Sequence, residues 1–222
     1  MKERPILFSA PMVRALLADT KTQTRRVVKL PHENPLGRWE VLPWGGPNGG
    51  RTRDGQTVPF QNVIGHSRTG EIIGCPYGQP GDRLWVRETF RKIDGQTRPW
   101  IETDYRATYT HGDRLGDSLG VKMPWTPAIH MPRAASRITL EVTGVRVERL
   151  QDISEADAKA EGACAAEPCD HARRSCADIG CSGPQDYRGG YRALWESING
   201  PGSWAANPWV WVVEFTRIAA VR

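Results

Sequence analysis

No stretch of this chain carries the roughly 18 consecutive apolar residues that a membrane-spanning helix needs, and its mean hydropathy is −0.52. A helical membrane anchor is thereby excluded. A secretory leader is not expected either, because Met1-Lys2-Glu3-Arg4-Pro5 leads into only three apolar residues, short of a leader core. The expected location is the cytoplasm. No internal repeat is evident, so the 222 residues read as one domain, 1–222, with its own core. Tight C-x2-C pairs are missing, and with them the ordinary zinc-knuckle pattern.

Positive charge is what the chain does have. The formal net charge is +5 and the isoelectric point about 9.1, which weakly favours an anionic partner. Most of the 30 basic residues are arginine. Arginine reads phosphates and base edges bidentately, but a GC-rich genome produces the same bias without any function attached. Nine tryptophans can stack on bases or fill a core, and the core is the better use for most of them.

Short strands dominate the pattern. Residues 5–9 read as a strand. Pro11 then opens a helix running through Ala18, with Met12, Ala15 and Leu16 at helical spacing. The segment from 31 to 80 is rich in Gly and Pro and shows no sustained period, so an irregular insertion is expected there. Leu84, Val86 and Phe90 alternate as in a half-buried strand after the Gly81-Asp82 turn. Residues 92–128 read as loop, apart from a strand near 104–108. A strand pair is expected over 137–150, with Gly144 shifting the parity at a bulge or tight bend. Ser154 with Asp157 three residues on opens a helix that Gly162 stops. A second helix spans about 185–198 and ends at Gly200-Pro201. The nearly all-apolar run over 208–215 reads as a central strand buried on both sides. The fold class that follows is α+β: a small, mostly antiparallel barrel with a few helices and long inserted loops at about 31–75, 92–125 and 164–184.

Lys21-Thr22-Gln23-Thr24-Arg25-Arg26 follows the first helix. An amine beside hydroxyls is a minimal nucleophile pair, provided burial or neighbouring cations lower the lysine pKa. Arg25 and Arg26 supply such cations and also suit an anionic substrate. A solvated basic turn would carry the same residues.

With Leu16-Leu17-Ala18-Asp19-Thr20 before it, this segment resembles the opening helix and signature of the ASCH domain superfamily, whose fold is a PUA-like β-barrel. Further segments resemble bacteriophage and prophage members. These are Pro80 to Thr89, His130-Met131-Pro132-Arg133 with Ser136-Arg137-Ile138, Leu150 to Ser154 leading to Glu161-Gly162, and Leu194-Trp195 with Asn207 to Trp211. Phage origin would place the protein in a host cytoplasm. The family usually has Gly where Asp19 stands, at a helix end that needs left-handed backbone, which Asp tolerates at some strain. In the small members that hydrolyse the amide of 4-acetylcytidine, a Lys, a Thr and a Glu carry the chemistry. The resemblance assigns these to Lys21 as base, Thr24 as nucleophile and Glu161 as the group that orients or delivers a proton. Glu161 also sits at a predicted helix C-terminus, where the dipole disfavours a carboxylate, so a cation such as Lys21 is expected opposite it. Glu88 either lines the cavity or pairs with an arginine. Arg133 and Arg137, beside Arg25 and Arg26, either hold a phosphate or salt-bridge to Glu88.

Four of the five cysteines, Cys164, Cys169, Cys176 and Cys181, crowd one stretch with His171 among them. Disulfides are disfavoured in the cytoplasm. The cluster therefore reads as a structural zinc site, with His171 as alternative ligand, or as free thiols. Cys75 stands alone, without an expected role. Three functions fit: a hydrolase of a modified nucleoside or related amide, an RNA- or DNA-binding module without catalysis, and a metal-independent ribonuclease. The expected partner is a nucleoside, nucleotide or RNA.

Overall fold

The computed structural model describes residues 1–33, 36–45, 61–93, 102–113, 117, 120, 124–165 and 186–218. The strands are β1 (Glu3–Leu7), β2 (Gln23–Val27), β3 (Trp39–Trp44), β4 (Gln61–His66), β5 (Ile72–Ile73), β6 (Arg83–Arg87), β7 (Phe90–Ile93), β8 (Glu102–Tyr105), β9 (Thr139–Arg149) and β10 (Trp209–Ile218). The helices are α1 (Ala10–Leu17), α2 (Glu155–Ala160) and α3 (Tyr187–Asn199). The protein is mixed α+β, mostly strands in several sheets. No described helix is long and apolar enough to cross a membrane.

The main sheet runs β1-β6-β9-β10-β2. Only β1 and β6 are parallel neighbours; the other pairs are antiparallel. β10 lies inside this sheet, and the apolar run is buried on both faces as expected. Trp211, Val213 and Phe215 enter one core with Val13 and Leu16 of α1. Val210 and Val212 enter a second core with Ala158 of α2 and Tyr191 and Trp195 of α3. Helices thus cover both faces at this end, and their gap falls along β2, the outer strand.

Three expectations change. Residues 139–149 form one continuous strand, not a pair. Gly144 opposes Glu214 while Val142 opposes Phe215, so Thr143 is the extra residue of a bulge. The long pairing with β10 keeps the strand going through it. The 31–75 segment is partly regular: β3, β4 and β5 make an antiparallel sheet. Ile64 belongs to the first core, with Trp39, Val41 and Ile73 packed on it. In 92–125, β7 and β8 pair as a hairpin, with its second strand slightly earlier than expected.

Two helix ends set up the site. α1 ends with Asp19 at φ 55, the left-handed residue foreseen, and Arg217 grips its carboxylate at 3.1 and 3.0 Å. At the start of α2 the Ser154 hydroxyl accepts from the Asp157 amide at 3.0 Å. Past its end Gly162 has φ 76, and a Cβ there would meet the Ala15 Cβ at 3.0 Å. Only glycine suits both the backbone and the contact, and the contact holds α2 against α1.

Candidate functional site

Close approach of α1 and α2 brings Lys21 and Glu161 together. Their backbones form an isolated antiparallel bridge, with the Thr22 amide donating to the Ala160 carbonyl at 2.8 Å. The Lys21 Nζ donates to Glu161 Oε2 and to the Glu161 carbonyl, both at 2.7 Å. Both side chains are out of solvent, at 0% and 2% exposure. Burial pulls the Lys21 pKa below the ordinary lysine value; the Glu161 carboxylate opposes this, and Arg26 and Arg25 reinforce it. The Phe8 ring lies 5.8 Å from the ammonium.

Thr24 sits on β2 beside this pair, 1% exposed. Its hydroxyl has no hydrogen-bond partner among the described residues. Thr24 and Glu161 line one cleft with Met12 of α1, Arg25, Arg26 and Val27 of β2, and Tyr191, Trp195, Ile198 and Asn199 of α3. Lys21 lies behind Glu161 rather than in the cleft lining, and no direct hydrogen bond joins it to Thr24. Of the sequence-predicted trio, Thr24 and Glu161 share the cleft and Lys21 reaches it only through its bonds to Glu161.

Arg25 is tied into a buried network. Its guanidinium meets Glu148 at 3.0 and 2.5 Å, Asp157 at 3.3 Å and Glu161 at 3.3 Å. Arg146 extends the network to Glu148 and Asp157, each at 3.1 Å, and to Glu214. Gln23 Nε2 adds a bond to the Asp157 carbonyl at 2.8 Å. Burial alone would raise the Asp157 carboxyl; Arg146, Gln23, Arg25 and Ser154 together hold it below its ordinary value. Arg25 borders the cleft but spends its charge on carboxylates. Arg26 turns the other way, with Nη2 on the Leu7 carbonyl at 2.5 Å and its guanidinium 5.3 Å from the Phe8 ring.

Glu88, Arg133 and Arg137 do not line this cleft. Arg137 grips Glu88 at 2.9 and 3.1 Å and stacks on Tyr105 at 4.0 Å, so the salt bridge is the arrangement found. Arg133 pairs with Glu3 at 3.0 Å on the surface. Cys164 is exposed with a free thiol; Cys169, Cys176, Cys181 and His171 lie outside the described residues. Those described contain no group of metal-ligating side chains. Burial pushes the Cys75 thiol up to about 11, which leaves it unreactive.

Tyr191 is the member that the sequence hid. It packs in the second core and also reaches the cleft. Burial, then the Glu161 charge, pushes its phenol well above the ordinary tyrosine value. It is a neutral donor, and its hydroxyl has no hydrogen-bond partner among the described residues. Arg146 and Glu148, alternating with Val145 and Val147 along β9, were the available signal for the network.

The chain matches no protein-family model, no curated protein and no solved structure.

Proposed function

We propose that this chain is a cytoplasmic hydrolase of a modified nucleoside or related amide, and that its main sheet is the centre of a PUA-like barrel of the ASCH type. One observation carries the reading. The carboxylate of a buried amine–carboxylate pair and a threonine whose hydroxyl has no hydrogen-bond partner among the described residues line the same cleft. Such groups cost desolvation free energy when assembled, and perturbed titrating groups in a cleft mark functional sites.

In this reading the Thr24 hydroxyl adds to the acyl carbonyl, and its proton passes to neutral Lys21, bridged by one water. That proton is then delivered to the departing amine as the C–N bond breaks. Water cleaves the threonyl ester, releasing the acid and restoring the hydroxyl. Glu161 orients the lysine amine, and Tyr191 donates to the carbonyl oxygen as charge develops there. A structural zinc at Cys164, Cys169, Cys176 and Cys181 belongs to the same proposal.

N4-acetylcytidine is the test substrate. The wild-type protein should release acetate and cytidine, and Thr24→Val should lose at least about 100-fold in kcat. The rate should rise with pH along a limb below the titration range of ordinary lysine, since Lys21 must be neutral. Equal turnover by Thr24→Val would end the nucleophile assignment.

The full engagement of Lys21 and Arg25 by carboxylates favours a second reading, a nucleoside- or RNA-binding cleft without chemistry. Binding of a nucleoside or RNA without turnover would support it.

A further inference from the structure

Four consecutive residues of β2, Thr24, Arg25, Arg26 and Val27, border the same cleft. Successive side chains of a strand point to opposite faces. A space that touches all four therefore lies along the backbone edge of the strand. β2 is the outermost strand of its sheet, so that edge is not covered by another strand.

The pairing phase says which groups point outward. The Phe215 amide donates to the Thr22 carbonyl and the Val28 amide to the Trp209 carbonyl, both at 2.9 Å. With Thr24 opposite Val213 and Arg26 opposite Trp211, the even-numbered residues turn their polar backbone groups toward β10. Arg25 and Val27 turn theirs away. None of these four outward groups has a partner among the described residues. Arg25 is only 3% exposed, and a buried backbone pair without a partner is rare.

The stretch of edge inside the cleft is short. Gln23 turns outward by the same phase, but it does not line the cleft and its side chain is held by Asp157. Within the cleft the two outward residues Arg25 and Val27 remain, flanked by Met12 of α1 and by Trp195 and Ile198 of α3. Apolar walls about a short polar edge suit a flat heterocycle. An added peptide strand needs a longer ladder.

We propose that the cleft reads a nucleobase by its edge. The outward N–H and C=O groups of Arg25 and Val27 pair with the adjoining donor and acceptor of a pyrimidine, and Met12, Trp195 and Ile198 clasp its ring. The inference rests on the nucleoside reading above for its ligand class, but not on Thr24 chemistry.

Val27→Pro tests it. Proline deletes one outward N–H at an edge position, where strands tolerate it because the ladder bond is not used. Val27→Ala removes the side chain and keeps the donor. Amide resonances are followed while cytidine or uridine is titrated into the full chain, and the amide spectrum of each variant reports its folding. The Arg25 and Val27 amides should shift saturably in wild type. Val27→Pro should weaken binding by about tenfold, as for one lost buried hydrogen bond, and Val27→Ala by no more than about threefold. Nucleosides that bind without moving these two amides overturn the inference, as does wild-type affinity in folded Val27→Pro. In both cases turnover of acetylcytidine would still stand or fall on its own. Absence of any nucleoside binding removes both readings. A peptide that shifts the same amides when nucleosides do not would replace base reading by strand addition.

Discussion

Replacing Lys21 by methionine should be among the most damaging single changes in the chain. Its ammonium lies at 0% exposure and spends two hydrogen bonds of 2.7 Å on Glu161. Removing it leaves a carboxylate of 2% exposure with, among the described residues, only Arg25 at 3.3 Å. Breaking a buried pair from one side costs about 3–5 kcal/mol. For a domain of this size that is a fall in Tm of roughly 6–20 °C. The second change, Glu161→Leu, separates fold from chemistry. An apolar pair of similar volume is often neutral against the ion pair it replaces, and Arg25 keeps Glu148 and Asp157. The double variant Lys21→Met/Glu161→Leu should therefore regain most of the lost stability while remaining inactive. Urea titration with circular dichroism measures all three variants. A loss under about 1 kcal/mol in Lys21→Met would show that the pair is hydrated. A double variant no more stable than the singles would show that the pair is needed for packing, not chosen for chemistry.

Gly162→Ala forces a side chain onto φ 76 and to within 3.0 Å of Ala15. It should cost about 1–3 kcal/mol and lower turnover by displacing Lys21, both read from one purified variant. Acid should loosen the N-terminal strand through Asp82. Burial would raise that carboxyl, but the Lys2 amide, Arg4 and the Gln79 amide hold it below its ordinary value. Its stabilisation is therefore complete above the ordinary carboxyl range and is lost as pH falls through the lower folded value. Asp82→Asn should remove this acid limb from a pH series of urea midpoints. For the cysteine cluster, elemental analysis of protein purified without chelator should give about one zinc per chain. Four readily alkylated thiols without metal would dismiss the site.

The sequence spoke most clearly where one local rule sufficed. The Ser154 cap, the Gly162 stop and the doubly buried β10 each follow from a few adjacent residues, while the left-handed Asp19 came from the resemblance. It spoke less clearly where partners are distant. The Gly- and Pro-rich segment hid β3 and β4, whose register sets Val41 beside Ile64 and joins residues far apart in sequence. The trio Lys21, Thr24 and Glu161 came from a resemblance; the structure pairs Lys21 with Glu161 and sets Thr24 and Glu161 on one cleft. Arg133 and Arg137 could not be placed by composition, because a guanidinium serves a phosphate or a carboxylate equally well. Tyr191 was not singled out, since helical periodicity places it on a buried face and gives no sign that it also borders a cleft. The backbone edge of β2 has no side-chain signal at all; it exists only once the strand order is known.

Trapping the acyl-enzyme decides whether Thr24 is the nucleophile. Protein mixed with N4-acetylcytidine and quenched in acid within the first turnovers should carry one acetyl group, mapped by peptide mass spectrometry to Thr24. The modification should be absent from Thr24→Val and Lys21→Met. Turnover with no acetyl group on Thr24, or an acetyl group placed elsewhere, would contradict the account.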